Sequence, residues 1–120
     1  MFGETIKRRR IEAGLTLREF CRLVEEDPSN WSKIEREIAK PPQDKGKLKK
    51  VAEALGLELE SEAFKDIQYE ASVAAGRIPE EIASNELLIN RLPAFLRTVN
   101  NRKPSEEELQ KIMDFVERGL

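Results

Sequence analysis

The fold is decided by the stretch GLTLREFCRLVEEDPSNWSKIER, residues 14–36, which holds the start signals of two helices. Thr16 is followed three residues later by Glu19, the pattern of a capping box, in which the two residues satisfy free backbone amides at a helix end. Asp27 offers a carboxylate as a second N-cap, and Pro28 suits the first helical position because no amide hydrogen is needed there. The stretch therefore predicts two short helices joined by a tight turn.

Apolar residues give each of these helices an inward face. Cys21 is small and lies where the two helices must cross closely. We predict that the second helix of this pair, which is the third helix of the chain, spans residues 28–38. Trp31, Ile34 and Ile38 face inward at spacings of three and four. Two short helices with this spacing are typical of a helix-turn-helix.

Helix signals continue on both sides of this stretch, whereas strand signals are almost absent. Start and stop signals of further helices lie at Gly14, Asp44, Ser61, Pro79 and Ser105. Within the helix predicted over residues 86–99, we expect a kink or break at Pro93, because proline removes a helical hydrogen bond. We interpret the polar residues 100–104 as a loop.

The composition excludes several kinds of catalytic site. The 120 residues include no histidine and a single cysteine, Cys21, so we expect no histidine base, no zinc site and no internal disulfide. No apolar run approaches the roughly 18 residues that span a bilayer, and no signal-peptide pattern follows Met1. We therefore expect a cytoplasmic protein without a membrane partner, and we predict no catalytic residue, no metal and no cofactor.

The charged residues are unevenly distributed along the chain. The net charge is −2, which taken whole argues against a nucleic-acid binder. Residues 1–50, however, hold 13 Lys and Arg against 9 Asp and Glu, whereas residues 51–120 hold 8 against 14. These counts give +4 and −6, and they suggest a basic functional surface on the first part of the chain.

Residues 14–36 resemble the helix-turn-helix of the Cro and phage-repressor (Xre) family of DNA-binding domains. The ending SKIER, residues 32–36, is similar to that family's recognition-helix ending, and KKVAEALGL, residues 49–57, is similar to its fourth helix. The resemblance covers about half of the chain. It implies an all-α fold, with a five-helix phage-repressor-like domain followed by a smaller helical C-terminal region. We place the boundary between residues 1–60 and 61–120.

The resemblance also implies a DNA site, because in this family the third helix lies in the major groove of double-stranded DNA. The residues expected to face bases are Pro28, Ser29, Ser32 and Lys33. Those expected to contact phosphates are Arg18, Asn30, Arg36 and Lys40. Lys33 is the best candidate for direct readout, since a cationic donor suits the O6 and N7 acceptors of guanine.

Two further features follow from the resemblance. Arg10 and Glu35 match positions that the family uses for a partly buried structural ion pair, so we do not count Arg10 as a DNA contact. Glu25 and Glu26 stand where the family has a turn glycine and an apolar residue. Either the first helix of the motif is longer here, or the turn opens toward solvent.

The C-terminal region carries apolar residues at helical spacing, for which two roles are open. They form a surface for a second copy or for a protein partner, or they complete a single monomeric core. The candidate surface residues are Leu87, Leu88, Leu92, Phe95 and Leu96.

Three functions are compatible with the sequence. The first is a sequence-specific transcriptional regulator, a repressor that binds a palindromic operator as a homodimer. The second is the antitoxin of a toxin–antitoxin pair, in which the acidic half binds a basic toxin and the first half autoregulates the operon. The third is a hydrolase with paired carboxylates at Glu80, Glu81 and Glu86, which we disfavour because glutamates in a first helical turn ordinarily interact with the helix dipole.

Overall fold

The computed structural model describes residues 1–102 and 105–117, and the regular structure of these residues is entirely helical. This confirms the all-α class. The helices are α1 (Phe2–Glu12), α2 (Leu17–Val24), α3 (Pro28–Glu35), α4 (Lys45–Ala54), α5 (Glu62–Ala74), α6 (Glu80–Ala83), α7 (Glu86–Arg102) and α8 (Glu106–Glu117). They belong to two compact units, Met1–Pro79 with α1 to α5 and Glu80–Leu120 with α6 to α8.

Four helices of the first unit begin where a side chain caps them. Thr16, Asp27, Asp44 and Ser61 each accept a hydrogen bond from the backbone amide three residues later. An N-cap of this kind contributes about 1 kcal/mol, because it satisfies an amide that has no partner inside the helix. These local bonds explain why the starts of α2 to α5 follow the sequence signals.

The core of the first unit is built around Trp31 of α3. Its indole lies beside two phenylalanine rings, with centroids 6.4 Å away for Phe2 of α1 and 5.3 Å away for Phe20 of α2. The other buried apolar residues are Ile6, Cys21, Val24, Ile34, Leu48, Val51, Ala52, Leu55, Phe64, Ile67 and Ala71. All five helices contribute to this cluster, and it fixes α3 from its inner side.

The first unit extends past the boundary that we predicted after residue 60. Helix α5 packs against α1, and it buries Phe64 and Ile67 in the same core. Two polar contacts fasten it further: Thr5 donates to a carboxylate oxygen of Glu70 at 3.1 Å, and the Gln43 amide donates to the Ala71 carbonyl at 2.9 Å. The hydrophobic face of α5 is therefore buried in the core of the first unit.

Helix α3 is shorter than predicted, because it ends at Glu35 rather than at residue 38. Glu37 adopts a left-handed conformation with φ of 62°, and the Ile38 amide bonds back to the Lys33 carbonyl at 2.8 Å. This is a Schellman-type ending, which turns the chain away from the helix axis. Ile38 is consequently 66% exposed, and our prediction that it faces inward is wrong.

The second unit has helices without a core among its described residues. Helix α6 packs against α7, yet none of the side chains described from residue 80 onward is buried. Helix α7 continues through Pro93 without a break and includes Asn100 to Arg102, which we predicted as loop. The rest of that predicted loop, Lys103 and Pro104, lies outside the described residues.

Candidate nucleic-acid interface

Helix α3 has an inner face in the core and an outer face in solvent. Trp31 and Ile34 are buried, while Ser29 and Lys33 are exposed and Pro28 and Ser32 are half-buried. The four residues predicted to read bases therefore lie on one helix and leave polar groups accessible. An α-helix fits the major groove of B-DNA, so this face has the dimensions that direct readout requires.

The predicted phosphate-binding residues lie on α2, on α3 and in the segment that follows α3. Arg18 lies in the first turn of α2, Arg36 follows the last residue of α3, and Lys40 follows in the connecting segment; all three are exposed. The Nε atom of Arg36 donates to the Ser32 carbonyl at 3.3 Å, which leaves its terminal nitrogens for another acceptor. Asn30 lies in the first turn of α3, and its side chain is exposed. Its backbone amide donates to the Asp27 carboxylate at 2.9 Å.

The capping box of α2 holds the helix turn that carries Arg18. The Thr16 amide donates to Oε1 of Glu19, and the Glu19 amide donates to Oγ1 of Thr16, both at 3.1 Å. The hydrogen bond from the Thr16 amide, and after it the Thr16 hydroxyl beside the carboxylate, lower the pKa of Glu19 below its ordinary value. The carboxylate is therefore ionised at neutral pH, where it also stabilises the positive end of the helix dipole.

The residues predicted as a structural ion pair form a bidentate contact between α1 and α3. Nε and Nη2 of Arg10 donate to the two carboxylate oxygens of Glu35 at 2.9 and 3.0 Å, and Nη1 donates to the Leu15 carbonyl at 2.9 Å. The hydrogen bond to Glu35 raises the pKa of Arg10, while burial acts in the opposite direction. Because Arg10 is only 8% exposed and Glu35 7%, the pair fixes the end of α3 and is not accessible to DNA.

Gly3 is a site determinant that the sequence analysis missed. It is buried in the first turn of α1, and a Cβ atom at this position would overlap the Ile34 carbonyl oxygen and lie 2.8 Å from that of Glu35. Only glycine permits this approach of α1 to the last turn of α3. The available signal was the glycine itself, which indicates close packing of a neighbouring backbone once its turn is known to be helical.

The turn between α2 and α3 keeps the tight geometry despite its glutamates. Glu25 adopts the left-handed conformation with φ of 57°, and the Glu26 amide bonds back to the Cys21 carbonyl at 2.9 Å. Helix α2 ends at Val24 and is not extended. Of the two alternatives left by the sequence, the longer helix is wrong, and the turn opens toward solvent only at Glu25, whose side chain is 74% exposed, whereas that of Glu26 is 18% exposed.

Two lysines of α4 contact this turn, and the sequence analysis did not pair them with it. Nζ of Lys47 lies 3.1 Å from a carboxylate oxygen of Glu26, and Nζ of Lys50 lies 3.1 Å from one of Glu25. The available signal was the three-residue spacing of the lysines, which places them on one side of α4.

Cys21 does not have the character of a nucleophile. Its side chain is 1% exposed, and burial, together with the neighbouring charge of Glu35, raises the pKa of the thiol to about 11. The thiol is therefore protonated at neutral pH, whereas the thiolate is the reactive form.

The predicted partner surface lies on α7 in the second unit. The exposed fractions are 62% for Leu87, 36% for Leu88, 42% for Phe95 and 55% for Leu96, and Leu92 is half-buried. Leu88, Leu92 and Phe95 are spaced by four and three residues, so they share one side of the helix. The structure thus leaves an apolar stripe open on α7.

Two other kinds of site have no candidate in the part of the chain that the structure describes. Within the described residues, no group of three metal-ligating side chains lies close enough to hold an ion. Across that part of the chain, no helix has the length and apolar character needed to cross a membrane.

Comparison with known proteins identifies the family. A family model described as a helix-turn-helix domain matches residues 1–63, which include α1 to α4 and the beginning of α5. Comparisons with curated proteins and with solved structures found no match. A domain of this kind implies DNA binding and is typical of transcriptional regulators. With the match extending over more than half of its residues, the chain belongs to the helix-turn-helix domain family.

Proposed function

We propose that the protein is a sequence-specific transcriptional repressor of the Cro and phage-repressor type, which binds a short palindromic operator through α3. The observation that carries this proposal is the contrast between the two sides of α3. Its inner side is fixed by Trp31 and by the Arg10–Glu35 pair, while Ser29 and Lys33 are free to enter a groove. A rigid helix with an accessible polar face suits direct readout of bases.

The proposed contacts divide into base readout and positioning. Lys33 donates to guanine O6 or N7, Ser29 and Ser32 bond less selectively, and Pro28 contacts a thymine methyl group. The phosphate contacts come from Arg18, Asn30, Arg36 and Lys40, and they orient the domain without reading sequence.

Selection of bound sites from a random DNA pool tests this function. We expect enrichment of a short motif, and Lys33→Ala is expected to weaken its binding by about 1–3 kcal/mol and to relax the preference at one base position. Arg36→Ala is expected to weaken all sequences similarly and to reduce the salt dependence. Lys65→Ala on α5 is the matched control and should bind like the parent. Failure to enrich any motif would contradict the proposal.

We further propose that the protein acts as a homodimer and that the apolar stripe on α7 forms the contact. A palindromic operator requires two α3 helices about one DNA turn apart, and the exposed Leu88, Phe95 and Leu96 offer a surface that a second copy can cover. Sedimentation equilibrium at micromolar concentration should show a dimer. Phe95→Glu should give a monomer, while Val73→Glu, at a comparably exposed residue of α5, should not. A strictly monomeric parent would refute this part.

The second candidate function is an antitoxin, which uses the same stripe for a different partner. The second unit holds six basic and eight acidic residues, so its weak negative charge suits a basic protein. The product of a neighbouring gene, if small and basic, should form a complex with the parent and not with Phe95→Glu. A gene without such a neighbour would favour the repressor.

We propose that this chain binds its partners and does not catalyse a reaction. The protonated thiol of Cys21 supports this assignment, since it removes the one sulfur nucleophile. A metal-dependent hydrolase assay with the Glu81→Gln variant as control would expose an activity of the glutamates near α6.

A further inference from the structure

Three acidic residues directly precede α3, and two of them do not serve its capping. Asp27 accepts a hydrogen bond from the Asn30 amide at 2.9 Å, so this carboxylate belongs to the N-cap. Glu25 and Glu26 make no such bond and lie at the end of the helix that the proposed function directs toward DNA. Uncompensated carboxylates at this position would repel the phosphate backbone.

Lys47 and Lys50 compensate this charge from α4. Each places its ammonium nitrogen 3.1 Å from one turn carboxylate, and the two lysines are three residues apart on the same helix. The Glu26 side chain is only 18% exposed, so its pair with Lys47 is the more shielded of the two. Each pair cancels one negative charge at the end of α3 that the proposed function directs toward DNA.

We propose that Lys47 and Lys50 are positioning residues for DNA binding, which act by neutralising Glu26 and Glu25 and not by contacting phosphates. This inference rests on the proposed function, because it takes α3 as the helix that enters the groove. It separates two groups of basic residues in the first unit. Arg18, Arg36 and Lys40 bind phosphates, whereas the two α4 lysines permit the acidic turn to approach them.

A double-mutant cycle on Lys47 and Glu26 tests the inference by affinity for a DNA duplex at several salt concentrations. Lys47→Met is expected to weaken binding by about threefold to fivefold, because it leaves Glu26 uncompensated. Glu26→Gln in the Lys47→Met background is expected to restore the parent affinity within about twofold, since it removes the repelling charge. The loss in Lys47→Met should shrink as the salt concentration rises, because salt screens the repulsion, and Glu26→Gln should restore the parent's salt slope together with its affinity.

Lys49→Met is the matched control, because Lys49 is exposed on the same helix and forms no ion pair with the described residues. Its effect on affinity should be the same in the parent and in the Glu26→Gln background. Denaturation followed by Trp31 fluorescence should give similar stabilities for all variants, which separates the effect on DNA from a structural role.

Two results would contradict the inference, and they differ in whether the proposed function also fails. A salt slope reduced by about 0.9 in Lys47→Met, without rescue by Glu26→Gln, would show that Lys47 binds a phosphate and would overturn the inference while the proposed function stands. A parent protein that binds no DNA at any salt concentration would overturn the proposed function and the inference with it.

Discussion

The two units of the protein have equally clear helix signals and differ in what those helices bury. In the first unit the helices share a core of buried apolar side chains around Trp31, whereas none of the side chains described in the second unit is buried. Capping and amphipathic spacing are local properties, so they produce helices in both units. A defined environment for each side chain requires burial, which only the first unit supplies for its described residues.

The division into two units also changes the meaning of the charge distribution. Residues 1–79 contain fifteen Lys and Arg and fifteen Asp and Glu, and residues 80–120 contain six and eight. The basic excess of residues 1–50 is therefore balanced within the same unit by acidic residues from Glu53 to Glu70. Any attraction to DNA must come from where the charges lie on the first unit, since its net charge is zero.

The largest effect is expected from the buried ion pair of the first unit. Arg10→Met leaves the Glu35 carboxylate buried without its partner, which should lower the free energy of unfolding by about 3–5 kcal/mol. Urea denaturation monitored by Trp31 fluorescence measures this loss. The double variant Arg10→Met with Glu35→Leu should recover a large part of it, because no buried charge remains. Unchanged stability in both single variants would refute the structural role of the pair.

A smaller loss is expected where α1 meets α3. Gly3→Ala forces a methyl group against the Ile34 and Glu35 carbonyls and should destabilise the first unit by about 1–3 kcal/mol. Gly46→Ala is the matched control, since this glycine is also in a first helical turn and its methyl would meet only the Asp44 side chain. The control should remain within about 1 kcal/mol of the parent. Equal effects at both glycines would contradict the close packing.

A gain in stability is expected at the turn. Glu25→Gly removes the steric strain of a side chain at a backbone φ of 57°. It should raise the free energy of unfolding by about 0.5–1 kcal/mol. Glu25→Ala removes the same contact with Lys50 but keeps the strained backbone, so it should give no gain. Thermal unfolding of the three proteins measures the difference, and equal midpoints would show that the turn is unstrained.

The smallest effect is expected in the second unit. Leu92→Ala on α7 should change the stability reported by Trp31 by less than about 0.5 kcal/mol, because this half-buried side chain is not part of the core. Leu48→Ala on α4, where the leucine is 5% exposed, should cost about 2–5 kcal/mol. Similar losses at the two leucines would mean that both units unfold through one cooperative core.

Features that depend on neighbouring residues were predictable from the sequence. The starts of α2 to α5 follow from Thr16, Asp27, Asp44 and Ser61, because a cap and its amide lie within one turn. The exposed face of α3 follows from the spacing of its buried residues. The placement of the predicted base-reading side chains on that face is therefore a consequence of helical periodicity.

Features that depend on residues far apart in the sequence were not predictable from it. The end of α3 requires a left-handed Glu37, and no glycine marks this position in the sequence. The closeness of Gly3 to α3 and the pairing of Lys47 with Glu26 arise only once α1 and α4 are packed. The extension of α7 through Arg102 was not predicted for another reason, because a polar helix turn without a buried face has no apolar spacing to reveal it.

Cys21 gives the protein a built-in kinetic probe. With a pKa of about 11, only about a thousandth of the thiols are ionised at pH 8, and the folded chain also shields the sulfur from a reagent. An alkylating reagent therefore reacts at an appreciable rate only when α2 separates from its neighbours. Because the chain has a single cysteine, the labelling rate measures how often α2 separates from its neighbours, with no contribution from another thiol. A DNA site that binds the closed domain should slow the labelling in proportion to its occupancy.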